Sequence, residues 1–427
     1  MNMKSMINQG NGMPTVAVVG GGAAGMMAAF TAAQSGAQVL LFERTGKLGR
    51  KLRITGKGRC NVTNDCDTQE FLNHVVSNPR FLYAALNRFS VQDTKQFFES
   101  RGVPLKTERG RRVFPVSDRA SDIVAALADA CHRAGVRVIY ERVRALNIQN
   151  ATVRGVVSEG GEYEADAVIV CTGGMSYPLT GSDGDGYQLA EQAGLAVTPL
   201  VPSLVPLTSR SPLCPALQGL SLKNVKLTVV KCQGGASVFE EMGEMMFTHF
   251  GLTGPMVLSA SAHLGDIAPG KYEAHIDLKP ALDEKTLDAR VRSDFEKYRN
   301  KDFANALGDL LPQKLIGEMV ALSGIPPHTK VHSISKEQRS ALVALLKCLR
   351  VPLDGFRPID EAIVTRGGVG VRQIDPKTME SKQVSGLYFA GEVLDVDAYT
   401  GGYNLQIAFS TAYVAGESAA LKTIQGE

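Results

Sequence analysis

The chain has 427 residues, too many for one small core and suited to two or three domains. Apolar residues make up 44% and charged residues 21%, the balance of an ordinary globular protein, and a net charge of +3 creates no global field that demands a polyanionic partner. Seven scattered cysteines form no CxxC pair and no zinc-type spacing, which argues against a zinc module or disulfide scaffold and for reduced thiols in the cytoplasm.

Residues 1–12 are polar and expected to be loose. Met13–Ala33 is apolar enough to imitate a signal peptide or a membrane span. Its three consecutive glycines, with only Lys4 as positive charge before it, suit a strand, turn and helix better. Thr15–Val19 is β-branched and uninterrupted, as a buried parallel strand should be. Gly20-Gly21-Gly22-Ala23-Ala24-Gly25 follows in the pattern G-x-G-x-x-G, then a helical run over Met26–Ser35 and a second strand over Gln38–Phe42 ending at Glu43. Gly20 allows the sharp turn, Gly22 the approach of backbone to a pyrophosphate, and Gly25 close packing of helix on strand. The helix start offers N–H groups to phosphate, and Glu43 can accept from a ribose diol. This unit predicts dinucleotide binding without distinguishing FAD from NAD.

Gly46–Asn64 alternates glycine with Arg and Lys and closes on Cys60-Asn61-Val62-Thr63-Asn64. Such a loop can wrap a pyrophosphate and reach a flavin edge with short neutral donors. Seven basic residues lie between Arg44 and Arg59 with no acid; six lie between Arg101 and Arg119 beside Glu108 and Asp118. Either run is a solvated face or a phosphate track, and the first can equally serve the cofactor. Arg137–Tyr140 and Arg142–Leu146 read as short strands, with Val143 a candidate contact of the adenine. Asp166–Val170 is a buried strand running into Cys171-Thr172-Gly173-Gly174 and Met175–Gly186, with a helix from Tyr187. The T-G-G turn lets backbone lie against a planar ring.

Prolines 199, 202, 206, 212 and 215 mark a crossing between domains. Ser221–Lys231 and Tyr272–Leu278 alternate as strands of a barrel or sandwich. Met245–Pro255 carries His249 between Phe247 and Phe250, a candidate proton donor or substrate contact, or simply a histidine satisfied in a turn. Asp283–Ser323 has helical spacing, and Leu345–Ile359 and Ala362–Thr365 read as extended. Gly386–Ala390 is a strand, Gly391-Glu392 opens a loop, and Gly401-Gly402-Tyr403-Asn404 begins a helix to about Ala420. That helix start would favour the negative charge of a reduced flavin, and a cofactor grip at both ends of the chain argues for flavin over nicotinamide alone. Tyr177 and Tyr399 flank the presumed cofactor loops as further candidate acids. Cys60, lacking a partner cysteine, is expected to pack near the flavin rather than to react.

The segments GGGAAG, GRKLRITGKGRCNVTN, CTGGMSYPLTGSDGDG, FTHFGLTGP and GLYFAGEVLDVDAYTGGYNLQ resemble the BaiN-like and aminoacetone-oxidase-like flavoproteins over nearly the whole chain from about Thr15. The resemblance implies an α/β fold: a Rossmann-like FAD domain in two pieces (13–195 and 361–427) interrupted by a β-barrel domain (196–280, with a return strand in 345–360) and a small helical domain (281–344). It implies that Gly20, Gly22, Gly25, Glu43, Lys51, Cys60, Asn61, Thr172, Gly173, Gly391, Asp395, Gly402 and Asn404 line FAD. Their neighbours Ala24, Arg44, Thr55, Gly58, Arg59, Gly174, Glu392, Gly401 and Leu405 complete the candidate contacts, with Val143. One departure is Ala412 in STAYVAG, where glycine is expected; it touches helix packing rather than chemistry.

No second strand, glycine turn and helix appears, so NAD(P)H is expected as a transient hydride donor. The resemblance implies reduction of a conjugated carbon–carbon double bond, either an enone of steroid or bile-acid type or the uracil C5–C6 bond of ribosomal RNA. The oxygen-dependent oxidation of a small primary amine such as aminoacetone is the alternative. No membrane and no stable protein partner is implied.

Overall fold

The computed structural model describes residues 13–425; the leading segment expected to be loose lies outside them. The chain forms two compact units, one of residues up to Ser203 together with those from Ile359, the other Leu204–Pro358. The crossings thus fall at 203/204 and 358/359, where sequence placed them at 195/196 and 360/361.

The first unit is built on five parallel strands: β1 (Thr15–Val19), β2 (Gln38–Phe42), β3 (Arg137–Ile139), β4 (Ala167–Val170) and β5 (Leu387–Phe389), in the order β5-β4-β1-β2-β3. Val16, Ala17, Val18, Leu41, Val168, Ile169 and Val170 are fully buried, as strands covered on both faces require. Helix α1 (Ala23–Gln34) returns the chain from β1 to β2, so the stretch that imitates a signal peptide is the first strand, turn and helix of this core. Among the described residues no helix is long and apolar enough to cross a membrane. β5 comes from the far end of the sequence and pairs with β4, which puts the last helix (Tyr403–Gln425) against α1. That contact is intimate because of Gly416, whose absent Cβ would stand 2.5 Å from the carbonyl of Ala28. Ala412 is fully buried in the same helix, so the missing glycine there is accommodated.

A three-stranded meander (Val143–Gln149, Thr152–Ser158, Gly161–Glu164) lies between β3 and β4 in the chain. A second small sheet pairs Thr63–Asn64 with Arg112–Pro115 and Leu105–Glu108.

The second unit carries seven antiparallel strands. Ser221–Lys231 pairs with Ser237–Thr248 and with Tyr272–Asp277. Leu349–Leu353 pairs with Tyr272–Asp277 at one end of the order, and Gly355–Phe356 pairs with Leu207–Thr208 at the other. Only Asp354 separates those two short strands, so one run of chain touches both ends of the sheet and curls it into a barrel. Helices Glu284–Lys297, Gln313–Ser323 and Lys336–Lys347 belong to the same compact unit, so the helical stretch expected as a separate domain is grouped with the sheet. The expectation of extended chain from Leu345 is corrected: the helix runs to Lys347. A capping box, Ser335 with Gln338, starts it and was the available signal.

Candidate functional site

β1 and α1 meet at Gly20, whose φ is +104° and whose Cβ would sit 2.6 Å from the Cys171 carbonyl oxygen at the end of β4. A Cβ on Gly25 would run into the Gly20 carbonyl, so this glycine is what lets α1 approach the strand. Gly22, the residue capping α1, is the opposite case: nothing lies within 4 Å of its missing Cβ. The helix start therefore faces clear space with its unpaired N–H groups. Ala24 is buried in the first turn behind it. Glu43 is nearly buried at the tip of β2. Its Oε1 accepts from the amide and hydroxyl of Thr45 (both 2.6 Å) and its Oε2 from the Gly21 amide at 3.0 Å. A carboxylate has about four acceptor sites, so one on Oε2 stays open for a ribose hydroxyl.

The loop after β2 starts on left-handed Gly49 and a one-turn helix, Arg50–Ile54, and then turns through left-handed Gly56, Lys57, Gly58 and Cys60. No atom lies within 4 Å of a Cβ on Gly58. Thr55 holds the turn by donating to the Leu52 carbonyl at 2.7 Å and accepting at its own carbonyl from Cys60. Cys60 is fully buried, and burial pushes its thiol up to about 12, which keeps it protonated and unreactive. Asn61 Oδ1 next to it is buried without a hydrogen-bond partner.

Lys51, on the one-turn helix, reaches two segments far away in sequence. Its Nζ donates to Ser176 Oγ at 2.6 Å and pairs with Glu392 Oε2 at 2.7 Å. Glu392 Oε1 in turn accepts from Ser176 Oγ at 3.1 Å and from the Thr365 amide at 3.0 Å. Lys51 and Glu392 are thus each other's partners, a relation the sequence did not suggest. Gly173 (φ +76°) and Gly174 lie on this knot; a Cβ on Gly174 would come 2.5 Å from Thr365 Oγ1. Thr172 Oγ1 is a second buried oxygen without a partner.

Arg44 and Arg142 close on the same acids. Arg44 Nη1 meets Asp183 at 2.7 Å and Asp185 at 2.8 Å, and Arg142 Nε donates to Asp185 at 2.8 Å. The glycine-rich GSDGDG segment is thereby strapped beside Glu43 and beside Val143, which is buried at the start of its strand. Arg59 turns instead toward Glu108 and Asp118 and lies 4.2 Å from the Phe114 ring centroid.

At the other end of the chain, Gly391 (φ +79°) follows β5 so closely on α1 that its Cβ would stand 2.8 Å from that of Ala24. Gly402 (φ +99°) abuts the Thr63 carbonyl with no room for a side chain, and Asn64 Nδ2 donates to the Gly401 carbonyl at 3.0 Å. The CNVTN loop and the start of the last helix are therefore in direct contact. Asn404 binds backwards, accepting from the Ala398 amide at 3.0 Å and donating to the Ala398 carbonyl at 2.9 Å, so it shapes the loop. Asp395 is half-buried in that loop, its carbonyl accepting from Asn78, and Leu405 is half-buried in the first helical turn. Tyr399 is half-buried, and its ring meets His74 edge-on at 5.4 Å. Tyr177 sits at φ +53°, a conformation uncommon for a bulky residue, on the exposed turn before Pro178–Thr180. His249 belongs to the second unit, exposed on the two-residue turn joining Thr248 to Gly251.

These features suit FAD. Side-chain-free backbone at Gly22 and Gly58 suits a pyrophosphate, Glu43 keeps an acceptor for a ribose, and the unpartnered Asn61 and Thr172 oxygens are neutral polar groups of the kind a flavin edge engages. A five-stranded parallel sheet with this glycine turn, completed by a strand and a glycine-started helix from the far terminus, defines a FAD-dependent oxidoreductase of Rossmann type. The chain belongs to the HI0933-like family, whose model, described as the HI0933-like protein Rossmann domain, matches residues 14–418. It is 32% identical to the 3-dehydro-bile acid delta(4,6)-reductase of Clostridium scindens, covering 96% of this chain and 99% of that one. It is 34% identical to the ribosomal RNA dihydrouridine synthase of Escherichia coli (strain K12), covering 94% and 96%. Among solved structures, 3-ketosteroid delta1-dehydrogenase from Sterolibacterium denitrificans shares the fold, with a TM-score of 0.53 at 14% identity over 96% of this chain and 100% of that one.

Proposed function

We propose that the chain reduces a carbon–carbon double bond conjugated to a carbonyl, in a small enone or in a uracil ring of RNA, with NAD(P)H as the hydride source. The observation that carries this reading is the junction of Thr63 and Asn64 with Gly401 and Gly402, which brings the neutral polar loop at Asn61 to the first turn of the last helix. FAD, when bound, supplies hydride transfer to and from carbon. Around it, Gly22 and the start of α1 hold phosphate, Glu43 orients a ribose, and the last helix offers its N-terminal dipole to developing negative charge. Tyr399, Tyr177 and His249 remain the candidate acids for protonating the carbon beside the carbonyl. The names of the relatives support the direction of the chemistry, since a delta(4,6)-reductase and a dihydrouridine synthase both saturate a double bond.

The test is anaerobic. The yellow protein should bleach with NADPH or NADH and recover its colour on adding a cyclic enone or a uridine-containing RNA, with the saturated product found by mass spectrometry. Bleaching by aminoacetone alone, with peroxide formed on admitting air, would instead identify an amine oxidase and sink the proposal.

A further inference from the structure

We propose that His74 is the residue that protonates the carbon beside the carbonyl. This rests on the reductase reading, to which it adds a residue that the sequence did not single out. A conjugated double bond is saturated by two deliveries. A hydride, carrying both electrons, comes from NAD(P)H by way of the flavin to the carbon farther from the carbonyl. A proton must come from the protein to the nearer one. The double bond becomes a single bond with two new C–H bonds, and the acid takes its proton back from water.

His74 follows the short helix Thr68–Asn73, and its segment is fastened along the loop that leads into the last helix. The Tyr399 amide donates to the His74 carbonyl at 2.9 Å, Val75 bridges to Ala398, and the Val76 amide donates to the Asp397 carbonyl at 2.8 Å. The imidazole is held as well as the backbone. It lies flat on the Tyr403 ring, with centroids 4.7 Å apart and planes 9° apart, and meets Tyr399 edge-on at 5.4 Å. Tyr403 comes directly after Gly402, and its ring would be 3.3 Å from a Cβ on Gly401. Gly401 and Gly402 are the pair that meets Asn64 and Thr63. The imidazole therefore stands one ring away from the junction of the CNVTN loop with the last helix.

The ring's own hydrogen bond decides which nitrogen can act. Nδ1 lies 2.8 Å from the carbonyl oxygen of Glu70, one turn back, and a carbonyl only accepts. Nδ1 thus keeps its proton whether the ring is neutral or charged, and the exchangeable proton belongs to Nε2. Nε2 has no hydrogen-bond partner among the described residues. Half-burial leaves the ring within reach of water for reprotonation. The charged and titratable groups around it are otherwise engaged. Asp67 caps the short helix, and Glu70 spends its carboxylate on Arg111. On the facing loop Asp395 is half-buried, and Asp397 accepts from Ser203. Tyr399 and Tyr403 meet the imidazole through their rings, and no carboxylate pairs with it among the described residues. Its proton is not held back by an ion pair. Tyr177 and His249, by contrast, sit on turns elsewhere.

His74→Ala and Tyr399→Phe should be compared with the wild type, each loaded with FAD. The substrate is the cyclic enone or the uridine-containing RNA, whichever the wild type reduces. His74→Ala should bleach with NADPH within about twofold of the wild-type rate, yet recover its colour with substrate about a hundredfold more slowly. Added imidazole should restore part of that rate. Recolouring of the wild type should slow as pH rises, since only the imidazolium can give the proton. That slowing should vanish in His74→Ala and persist in Tyr399→Phe. Magnetic resonance of protein with isotope-labelled histidine reads the ring without turnover. The signal missing from His74→Gln should report a neutral imidazole protonated on Nδ1. A ring protonated on Nε2 would overturn the proposal, as would recolouring at the wild-type rate in His74→Ala. So would equal slowing of bleaching and recolouring with no rescue by imidazole, which marks a structural role. Any of these in a protein that still reduces its substrate removes His74 and leaves the reductase. A wild type that bleaches but reduces neither enone nor uracil removes both.

Discussion

The two units use glycine in different ways. In the first, Gly20, Gly25, Gly391 and Gly402 each stand where a Cβ would meet backbone or a neighbouring helix. In the second, Gly251 and Gly254 also abut backbone, where strands of the one sheet pair, whereas Gly219, Gly234, Gly235 and Gly270 have positive φ and clear space around them, as turn residues do. Gly20, Gly25, Gly391 and Gly402 record close approach at the candidate cofactor site, the open turn glycines only a change in chain direction. A cofactor grip is therefore written in backbone demands that a single sequence displays. A barrel's specificity is carried by side-chain faces, which it does not.

The largest effect should come from filling one glycine of each kind. Gly402→Ala combines a left-handed φ of +99° with collision against Thr63. Strain and overpacking together come to about 3 kcal/mol, or roughly a hundredfold in FAD affinity. Gly234→Ala, at φ +81° in open space, should cost about 1 kcal/mol of stability and leave FAD binding unchanged. FAD titration and thermal melting of both variants check this. A Gly402→Ala protein that purifies fully yellow would break the contrast between the units.

A middle-sized effect separates the ion pairs. Lys51 and Glu392 have side chains only 21% and 19% exposed, whereas Lys297 and Asp309 in the second unit are 60% and 38% exposed. Glu392→Ala leaves a half-buried ammonium with Ser176 alone, and should lower stability by about 2 kcal/mol, several degrees of melting temperature, together with FAD affinity. Asp309→Ala should leave the melting temperature where it is, as most exposed pairs do. If both variants melt alike, the knot around Glu392 is an ordinary surface contact.

What sequence disclosed and what it hid follows the same division. The parallel strands were legible from uninterrupted β-branched runs, and the dinucleotide turn from the spacing of its glycines, of which Gly20 and Gly25 answer to close packing and Gly22 to open space. Lys51 with Glu392 was not, because 341 residues separate partners whose meeting depends on β5 joining β4. Nor was the strap of Arg44 and Arg142 on Asp183 and Asp185, since each of those residues looks like surface charge by itself. In the second unit, alternation revealed Ser221–Lys231 with its bounds correct, yet not the closure by Leu349–Phe356, which depends on one strand breaking at Asp354. Val343–Leu346 is an apolar run that reads equally as strand or helix, and only the cap before it decides.

The smallest effect concerns two buried acids. Asp294 in the second unit is matched to a charge, Arg290 Nε at 2.9 Å. Asp397 in the first is fully buried and matched to a hydroxyl, Ser203 Oγ at 2.6 Å, and burial raises its pKa. A carboxyl whose folded value is raised contributes stability below its unfolded value of about 4, and that contribution is lost as pH rises through the folded value. Asn resembles the protonated acid and keeps an oxygen for Ser203 to donate to. Asp397→Asn should therefore melt like the wild type near pH 4 and slightly above it near pH 7, by about 1.4 kcal/mol for each unit of upward shift. Asp294→Asn, which forfeits an ion pair, should melt below the wild type near pH 7. Were Asp397→Asn the less stable protein near pH 7, Asp397 would be ionised and paired, and the two units would treat buried acids alike.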